Sequence, residues 1–244
     1  MSLMLLGGFL VVVGLCDLLR IDRDRITPLR QALLIAIGGV LVAGFLCWVQ
    51  DAPAGAVAVG IGLLAALAAW VIGSSAALSA DGRAAARWRA VAFAGLGGGA
   101  VLSLLGVGVL VPWATWPGWL ADTVLVTWPP ADVTVSAGAV LLQLATGNRL
   151  VHLILDAAGL SAAETALKGE RILGPVERIL IVGLGHLGEV TAAAILVVAK
   201  GLLRLPELQA RTKDGPGDVT AAFVVGSLTS WLIGLAGVAL IYVA

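Results

Sequence analysis

Charge is scarce in this 244-residue chain: 12% of its residues are Asp, Glu, Lys or Arg, against about 25% in soluble globular domains. With 60% hydrophobic residues and a mean hydropathy of +1.04, that scarcity excludes the soluble globular class and predicts a polytopic membrane protein. The 15 basic and 15 acidic residues cancel, so no charge of one sign draws the chain to nucleic acid. Cysteine is nearly absent. Cys16 and Cys47 fall near opposite ends of neighbouring apolar runs, on opposite sides of a bilayer, which argues against a disulfide between them. No Lys or Arg precedes the first apolar run and no small-residue cleavage pattern follows it, so residues 1–19 read as a retained span and not as a signal peptide. No serine or cysteine stands beside a base as a nucleophile would. Dense metal motifs such as H-E-x-x-H are missing and internal repeats are missing, and the sequence leaves the cofactor unknown. An enzyme is therefore the weaker expectation.

What is present is long apolar runs. Hydropathy predicts an all-α bundle of about seven spans, near 3–19, 30–49, 55–78, 90–112, 133–155, 179–199 and 217–243, forming a single transmembrane domain over 1–244. Arg20, Arg23, Arg25 and Arg30 follow the first span, and Arg83, Arg87 and Arg89 follow the third. The positive-inside rule places both loops in the cytoplasm. Residues 112–132 carry no Lys or Arg but hold Trp113, Trp116, Trp119 and Trp128, a composition suited to the outer interface. The N-terminus is then outside, in the inner (cytoplasmic) membrane. Asp17, Asp22 and Asp24 read as solvated partners of Arg20, Arg23 and Arg25. Glycines recur on nearly every span, at Gly38, Gly39, Gly60, Gly62, Gly95, 97–99, Gly106 and Gly108, and the last span repeats Gly226, Ser230 and Gly234. Small residues at these spacings let helix backbones approach, which predicts close packing.

The stretch 178–204, RILIVGLGHLGEVTAAAILVVAKGLLR, admits two incompatible readings. Gly183, Gly185 and Gly188 follow a short apolar run, as in a dinucleotide fingerprint. The further strands and amphipathic helices that fingerprint needs are absent. As a membrane segment, 179–199 is long enough to cross ~30 Å of hydrocarbon once, with Glu189 at its midpoint. A single crossing leaves Lys200, Arg204, Arg211 and Lys213 outside, against the positive-inside rule. A hairpin broken at 183–188 would return them to the cytoplasm. The single crossing is the preferred reading, with Lys200 and Arg204 snorkelling to an interface.

Each of the two histidines has a carboxylate one turn away: His152 with Asp156, and His186 with Glu189, spacings that place each pair on one helical face. Asn148 and Thr146 line the approach, and the two pairs are placed to converge. Three readings follow. The groups satisfy one another and pin helices five and six together; or Glu189 is the titrating carboxylate of an ion or proton pathway, with His186 as its relay and His152, Asp156 and Asn148 along it; or His152, Asp156, His186 and Glu189 bind a metal such as zinc. Glu177 is expected to pair with Arg178, Arg171 or Arg149 at the cytoplasmic edge, with Pro175 in the first turn of its helix.

The segments 146–151 (TGNRLV), 167–178 (LKGERILGPVER), 198–208 (VAKGLLRLPEL) and 226–231 (GSLTSW) resemble an uncharacterised family of bacterial, actinobacterial-like, multi-pass membrane proteins, a domain of unknown function. The resemblance covers the second half of the chain and implies no activity. It implies that Asn148, Arg149, Gly174, Glu177, Arg178, Lys200, Arg204 and Ser227 belong to a shared pattern. From the residues themselves, the expected function is an ion- or proton-coupled channel or transporter. The alternatives are a non-catalytic subunit of a membrane complex and an intramembrane metal-dependent enzyme. The expected partners are the lipid bilayer and either a second copy or other subunits of a complex.

Overall fold

The computed structural model describes residues 3–20, 26–49, 53–106, 115–120, 122–160, 170–212 and 218–243. It is all-helical among those residues: α1 Met4–Leu18, α2 Pro28–Val49, α3 Pro53–Ala77, α4 Gly82–Gly106, two 3-10 turns at Gly118–Leu120 and Val124–Thr127, α5 Pro130–Leu141, a π turn Leu142–Thr146, α6 Gly147–Ala157, α7 Glu170–His186, α8 Val190–Thr212 and α9 Asp218–Val243. Among the described residues, five segments are long and apolar enough to cross a membrane: Pro28–Val49, Gly55–Ala77, Gly82–Gly106, Pro130–Ala157 and Thr220–Val243. This is a multi-pass integral membrane protein. The chain divides into two compact units, residues 1–142 with 243–244, and residues 143–242.

In the first unit α1 is the central rod. It is apolar all round, the pattern of a helix with no solvated face, and it is buried from Met4 to Asp17 along almost its whole length. Glycine sets how close its neighbours come. A Cβ on Gly7 would lie 2.8 Å from Val135 Cα, and one on Gly138 would lie 2.6 Å from the Gly7 carbonyl oxygen, so α1 and α5 touch backbone to backbone. Gly73 and Gly95 do the same for α3 and α4. Other glycines receive side chains: Gly38 takes Leu67, Gly62 takes Leu102 and Gly99 takes Phe9. Gly44, Gly97 and Gly98 meet nothing within 4 Å, so the packing role extends to most of the glycines and not to these. Gly108 lies outside the described residues.

These contacts also fix directions. Gly7 meets Val135 while Gly14 meets Leu141, so α1 and α5 run parallel; Gly8 meets Phe45 while Cys16 meets Leu34, so α2 runs against them. Gly99 meets Phe9 and Gly106 meets Leu5, which makes α4 antiparallel to α1. At the far end of α2, Trp48 donates its indole N–H to the Thr115 carbonyl at 3.0 Å, and Trp116 donates to Trp128 O at 2.8 Å. Trp119 and Trp128 stay exposed, as an interfacial loop requires.

The expectation that Asp17 and Arg20 are solvated is corrected here. Both are buried, Asp17 completely. Arg20 donates to Asp17 Oδ1 from Nε and Nη2 at 2.8 and 2.6 Å, to Val71 O at 3.2 Å and to Ser74 Oγ at 2.9 Å, while Trp70 Nε1 donates to Asp17 Oδ2 at 3.0 Å. A carboxylate and a guanidinium with this many partners hold the end of α1 against α3. Asp22 and Asp24 lie outside the described residues.

In the second unit the predicted single span 179–199 is two helices. α7 ends at His186, the chain turns at residues 187–189, and α8 starts at Val190. The cause is local. Gly188 adopts φ +78, a left-handed value that costs other residues about 1–2 kcal/mol. The turn is closed by Leu187 N–H to Gly183 O, Gly188 N–H to Gly185 O and Glu189 N–H to Leu184 O. α8 then folds back along α7, bringing Lys200 to Glu177. The sequence-based preference for one crossing is therefore overturned in favour of the hairpin. Pro175 stands inside α7, beyond the first turn.

Candidate functional site: a charged layer between four helices

Three relationships set the level of each side chain in the second unit. Arg178 reaches Ser230, Ile181 packs on Gly234 and Gly185 packs on Val238, so α7 and α9 run parallel. Gly226 meets Val151 and Leu155 while Gln143 Nε2 donates to Ile233 O at 3.3 Å, so the π turn and α6 run antiparallel to α9. Trp231 stands at the middle of the span Thr220–Val243, and Gln143 at the middle of Pro130–Ala157. Whatever meets both is level with the middle of two long apolar spans.

Arg178 meets Gln143. Its Nε and Nη2 donate to the Gln143 backbone carbonyl at 3.1 and 2.8 Å, Nη2 also donates to Asn148 Oδ1 at 2.6 Å, and Nη1 donates to Ser230 Oγ at 3.0 Å. Gln143 lies within the π turn, where the backbone ladder is re-registered and a carbonyl can serve an outside donor. Gly174 packs beside the pair: a Cβ there would stand in ordinary contact, 3.5 Å, with both Arg178 Nη1 and Asn148 Oδ1. On the neighbouring residue, Glu177 Oε2 accepts from Lys200 Nζ at 2.5 Å and Oε1 accepts from Trp231 Nε1 at 3.2 Å. Glu177 and Lys200 are 4% and 8% exposed. Ser227, one turn before Trp231 and Ser230, is buried, and its hydroxyl has no hydrogen bond among the described residues. An ionisable group at this depth is expensive and marks a functional site by default.

This geometry redistributes the predicted site. Glu177 pairs with Lys200 and not with an arginine; Arg178 turns to the opposite side, toward α6 and α9. Arg149 is buried on α6, and the side chain of Arg171 lies outside the described residues, as does that of Arg204. Glu177 and Arg178 are two turns into α7 and level with the middle of α9. His186 ends α7 and Glu189 lies beyond it in the turn, both exposed, so the expected i, i+3 pair on one face does not form. His152 and Asp156 are half-buried on α6. Since α6 and α7 are antiparallel, His152 and His186 are roughly 18 Å apart along the helix axes, twelve residues' worth of rise. The two histidine–carboxylate pairs do not converge, and among the described residues no three His, Cys, Asp or Glu side chains come together to hold a metal ion. Thr146 is buried in the π turn.

Sequence reasoning missed Lys200, Trp231 and Gln143 as members of one site. The available signal was a polar residue inside an apolar stretch, Gln143 within 130–157 and Lys200 within 190–203. Asn148, Gly174, Glu177, Arg178 and Lys200, set apart earlier by resemblance, do lie together. No family model, curated protein or solved structure matches the chain.

Proposed function

We propose that this protein moves an ion or a proton-coupled small solute across the cytoplasmic membrane, and that Glu177 and Lys200 are the working pair. The observation that carries the reading is a buried carboxylate–ammonium contact at 2.5 Å, level with the middle of α9, inside a multi-pass membrane protein. Proton uptake by Glu177 would break the pair without removing Trp231 or Arg178 from the site, giving two states of one layer. The working groups are thus placed about 13–15 Å back from the hairpin tip, and Glu189 and His186 become groups at the mouth. The N-terminus is placed outside: with the hairpin, Lys200, Arg204, Arg211 and Lys213 join the earlier arginines on the cytoplasmic side, which satisfies the positive-inside rule.

The test is ion and proton flux into liposomes holding the purified protein, comparing wild type with Glu177→Gln, Lys200→Met, Glu189→Gln and His186→Ala. The first two should abolish or uncouple flux and the last two should change it less. Wild-type protein that carries no ion, or Glu177→Gln indistinguishable from wild type, overturns the proposal.

A second reading, a non-catalytic subunit of a membrane complex, is favoured by one observation: both Glu177 oxygens and every nitrogen of the Arg178 guanidinium are engaged. Saturated groups of this kind also serve as locks between helices. Mass measurement in native lipid, showing a stable complex with a co-purifying protein, is the outcome that reading requires.

A further inference from the structure

We propose that the two 3-10 turns at Gly118–Leu120 and Val124–Thr127, together with Trp128, form a lipid-binding surface. They lie in the leaflet against the acyl chains and ester oxygens of phospholipids with zwitterionic headgroups. The leaflet is the one that meets the C-terminal end of α2, the outer one in the orientation proposed above. The surface belongs to the first unit and does not depend on what the chain carries.

Both ends of this segment are tied to the ends of membrane spans. Trp48, next to the last residue of α2, donates its indole N–H to Thr115 O at 3.0 Å. Its ring also meets Trp116 at 5.9 Å and Phe45 at 6.0 Å between ring centres. Trp116 in turn donates to Trp128 O at 2.8 Å, two residues ahead of Pro130, where α5 begins. The two turns therefore start and finish level with the ends of α2 and α5, beside the lipid-facing surface of those spans.

Their apolar side chains turn away from the protein. Trp119 and Val124 are 80% and 79% exposed, and Leu125, Val126 and Trp128 are exposed with them. A contiguous apolar patch of this kind marks a contact with lipid or protein, not a face for water. The polar groups do the opposite and turn inward. The Thr123 and Thr127 hydroxyls donate back to Leu120 O and Val124 O at 2.7 Å. The backbone amides of Leu120, Thr123, Val126 and Trp128 donate to carbonyls three residues earlier. A segment that satisfies its own hydroxyls and amides while presenting hydrocarbon outward is suited to surroundings without water. The indole N–H groups of Trp119 and Trp128 make no hydrogen bond among the described residues. They are left for the ester and phosphate oxygens of lipid, with the rings among the chains, as amphipathic rings sit at a membrane interface. Charge selects the headgroup. Residues 112–132 hold Asp122 and Asp132 and no Lys or Arg, so an anionic headgroup finds no counter-charge here. The ammonium of a zwitterionic headgroup does find one, in the exposed Asp122.

The test uses the full-length protein in phosphatidylcholine liposomes, with Cys47→Ser and the buried Cys16 retained. A spin label is attached to a single cysteine placed at Val124, Leu125 or Val126, all exposed positions. Collisions with oxygen, which concentrates in hydrocarbon, are compared with collisions with a water-soluble nickel chelate. Labels at Val40, on the outward face of α2, and at Arg83, in the first turn of α4, mark the lipid and water extremes. Oxygen should exceed nickel at all three loop positions, as at Val40. That ratio should not change when anionic phosphatidylglycerol replaces part of the lipid. Bromination of the acyl chains should quench Trp119, measured as the difference between wild type and Trp119→Phe. Val124→Asp with Leu125→Asp should invert the ratio at Val126. Nickel-dominated collisions, as at Arg83, would mean a loop in water. Protection from both reagents would mean that protein, here a second copy of the chain, covers the patch. Insertion that appears only with phosphatidylglycerol would mean an anionic headgroup. Each of these three results overturns the proposal.

Discussion

Arg178 places two N–H groups on the backbone carbonyl of Gln143, at 3.1 and 2.8 Å, inside the only π turn among the described residues. A side chain that caps a main-chain oxygen in this way joins two helices through an atom no substitution at Gln143 can delete. The neighbouring Glu177 faces the other way, to Lys200 and Trp231. Two adjacent residues of α7 therefore tie it to α6, α8 and α9 at one level.

Removing one member of the buried ion pair should be more harmful than removing both. Lys200→Met is expected to lower stability by about 3–5 kcal/mol because it strands a carboxylate. Adding Glu177→Gln should recover most of that loss. Thermal unfolding in mild detergent decides it, and equal melting of the single and double variants would show that the pair contributes little.

Arg178→Lys keeps the charge but not the fork that spans Gln143, Asn148 and Ser230. A loss of roughly 2–3 kcal/mol is expected, with about 1 kcal/mol for Ser230→Ala. Unchanged melting of Arg178→Lys would mean that charge alone, and not the planar geometry, holds α7 to α6.

Gly7→Val and Gly138→Val should each prevent α1 and α5 from closing, since a Cβ at either position meets backbone atoms that cannot move aside. Gly97→Ala, where nothing lies within 4 Å, should be neutral. The comparison is made by yield of monodisperse protein in size-exclusion chromatography; a Gly7→Val protein as well behaved as Gly97→Ala would contradict the close approach.

At the hairpin tip, Gly188→Ala should lower stability by about 1–2 kcal/mol through backbone strain at φ +78, and Gly188→Asn by less. Both are read by the same melting measurement. An alanine variant as stable as wild type would place the turn in another conformation.

The hairpin also predicts accessibility. Single cysteines placed at Ala158 and Thr212 should react with a membrane-impermeant thiol reagent from one face, and a cysteine at Leu187 from the other. Reaction of Ala158 and Thr212 from opposite faces would restore the single crossing.

Much of the fold is legible in the sequence, for reasons specific to membranes. Runs such as 30–49 and 55–78 announce themselves because lipid demands about 20 apolar residues, and the glycine spacings on α3 and α4 do set close packing. The break at residues 187–189 is harder. Gly183, Gly185 and Gly188 are compatible with an intact apolar helix, and only Gly188 uses its freedom. The positive-inside conflict raised by Lys200, Arg204, Arg211 and Lys213 was the stronger signal, and it pointed to the hairpin. The levels of the polar side chains were hidden for the same reason. Depth counted along a supposed single span put Glu189 at the centre, whereas a chain that turns there puts Glu177 at the centre and Glu189 at the end. Lys200 is opposite Glu177 only because the chain reverses, so a residue 23 positions away could not be assigned as its partner by helical periodicity.

The reversal also governs how the chain enters the bilayer. α7 alone would present Glu177 and Arg178 to hydrocarbon, and α8 alone would present Lys200, at a cost of about 2.5–3.5 kcal/mol for a charged residue at a span's centre. Neither helix suits one-at-a-time release from the insertion machinery. The tight turn at Gly188 keeps both in register as they emerge, so that carboxylate and ammonium can meet before either faces lipid. Insertion of this half of the protein as a two-helix unit is the expected consequence. α9, which contributes Ser230 and Trp231, closes over a preformed hairpin.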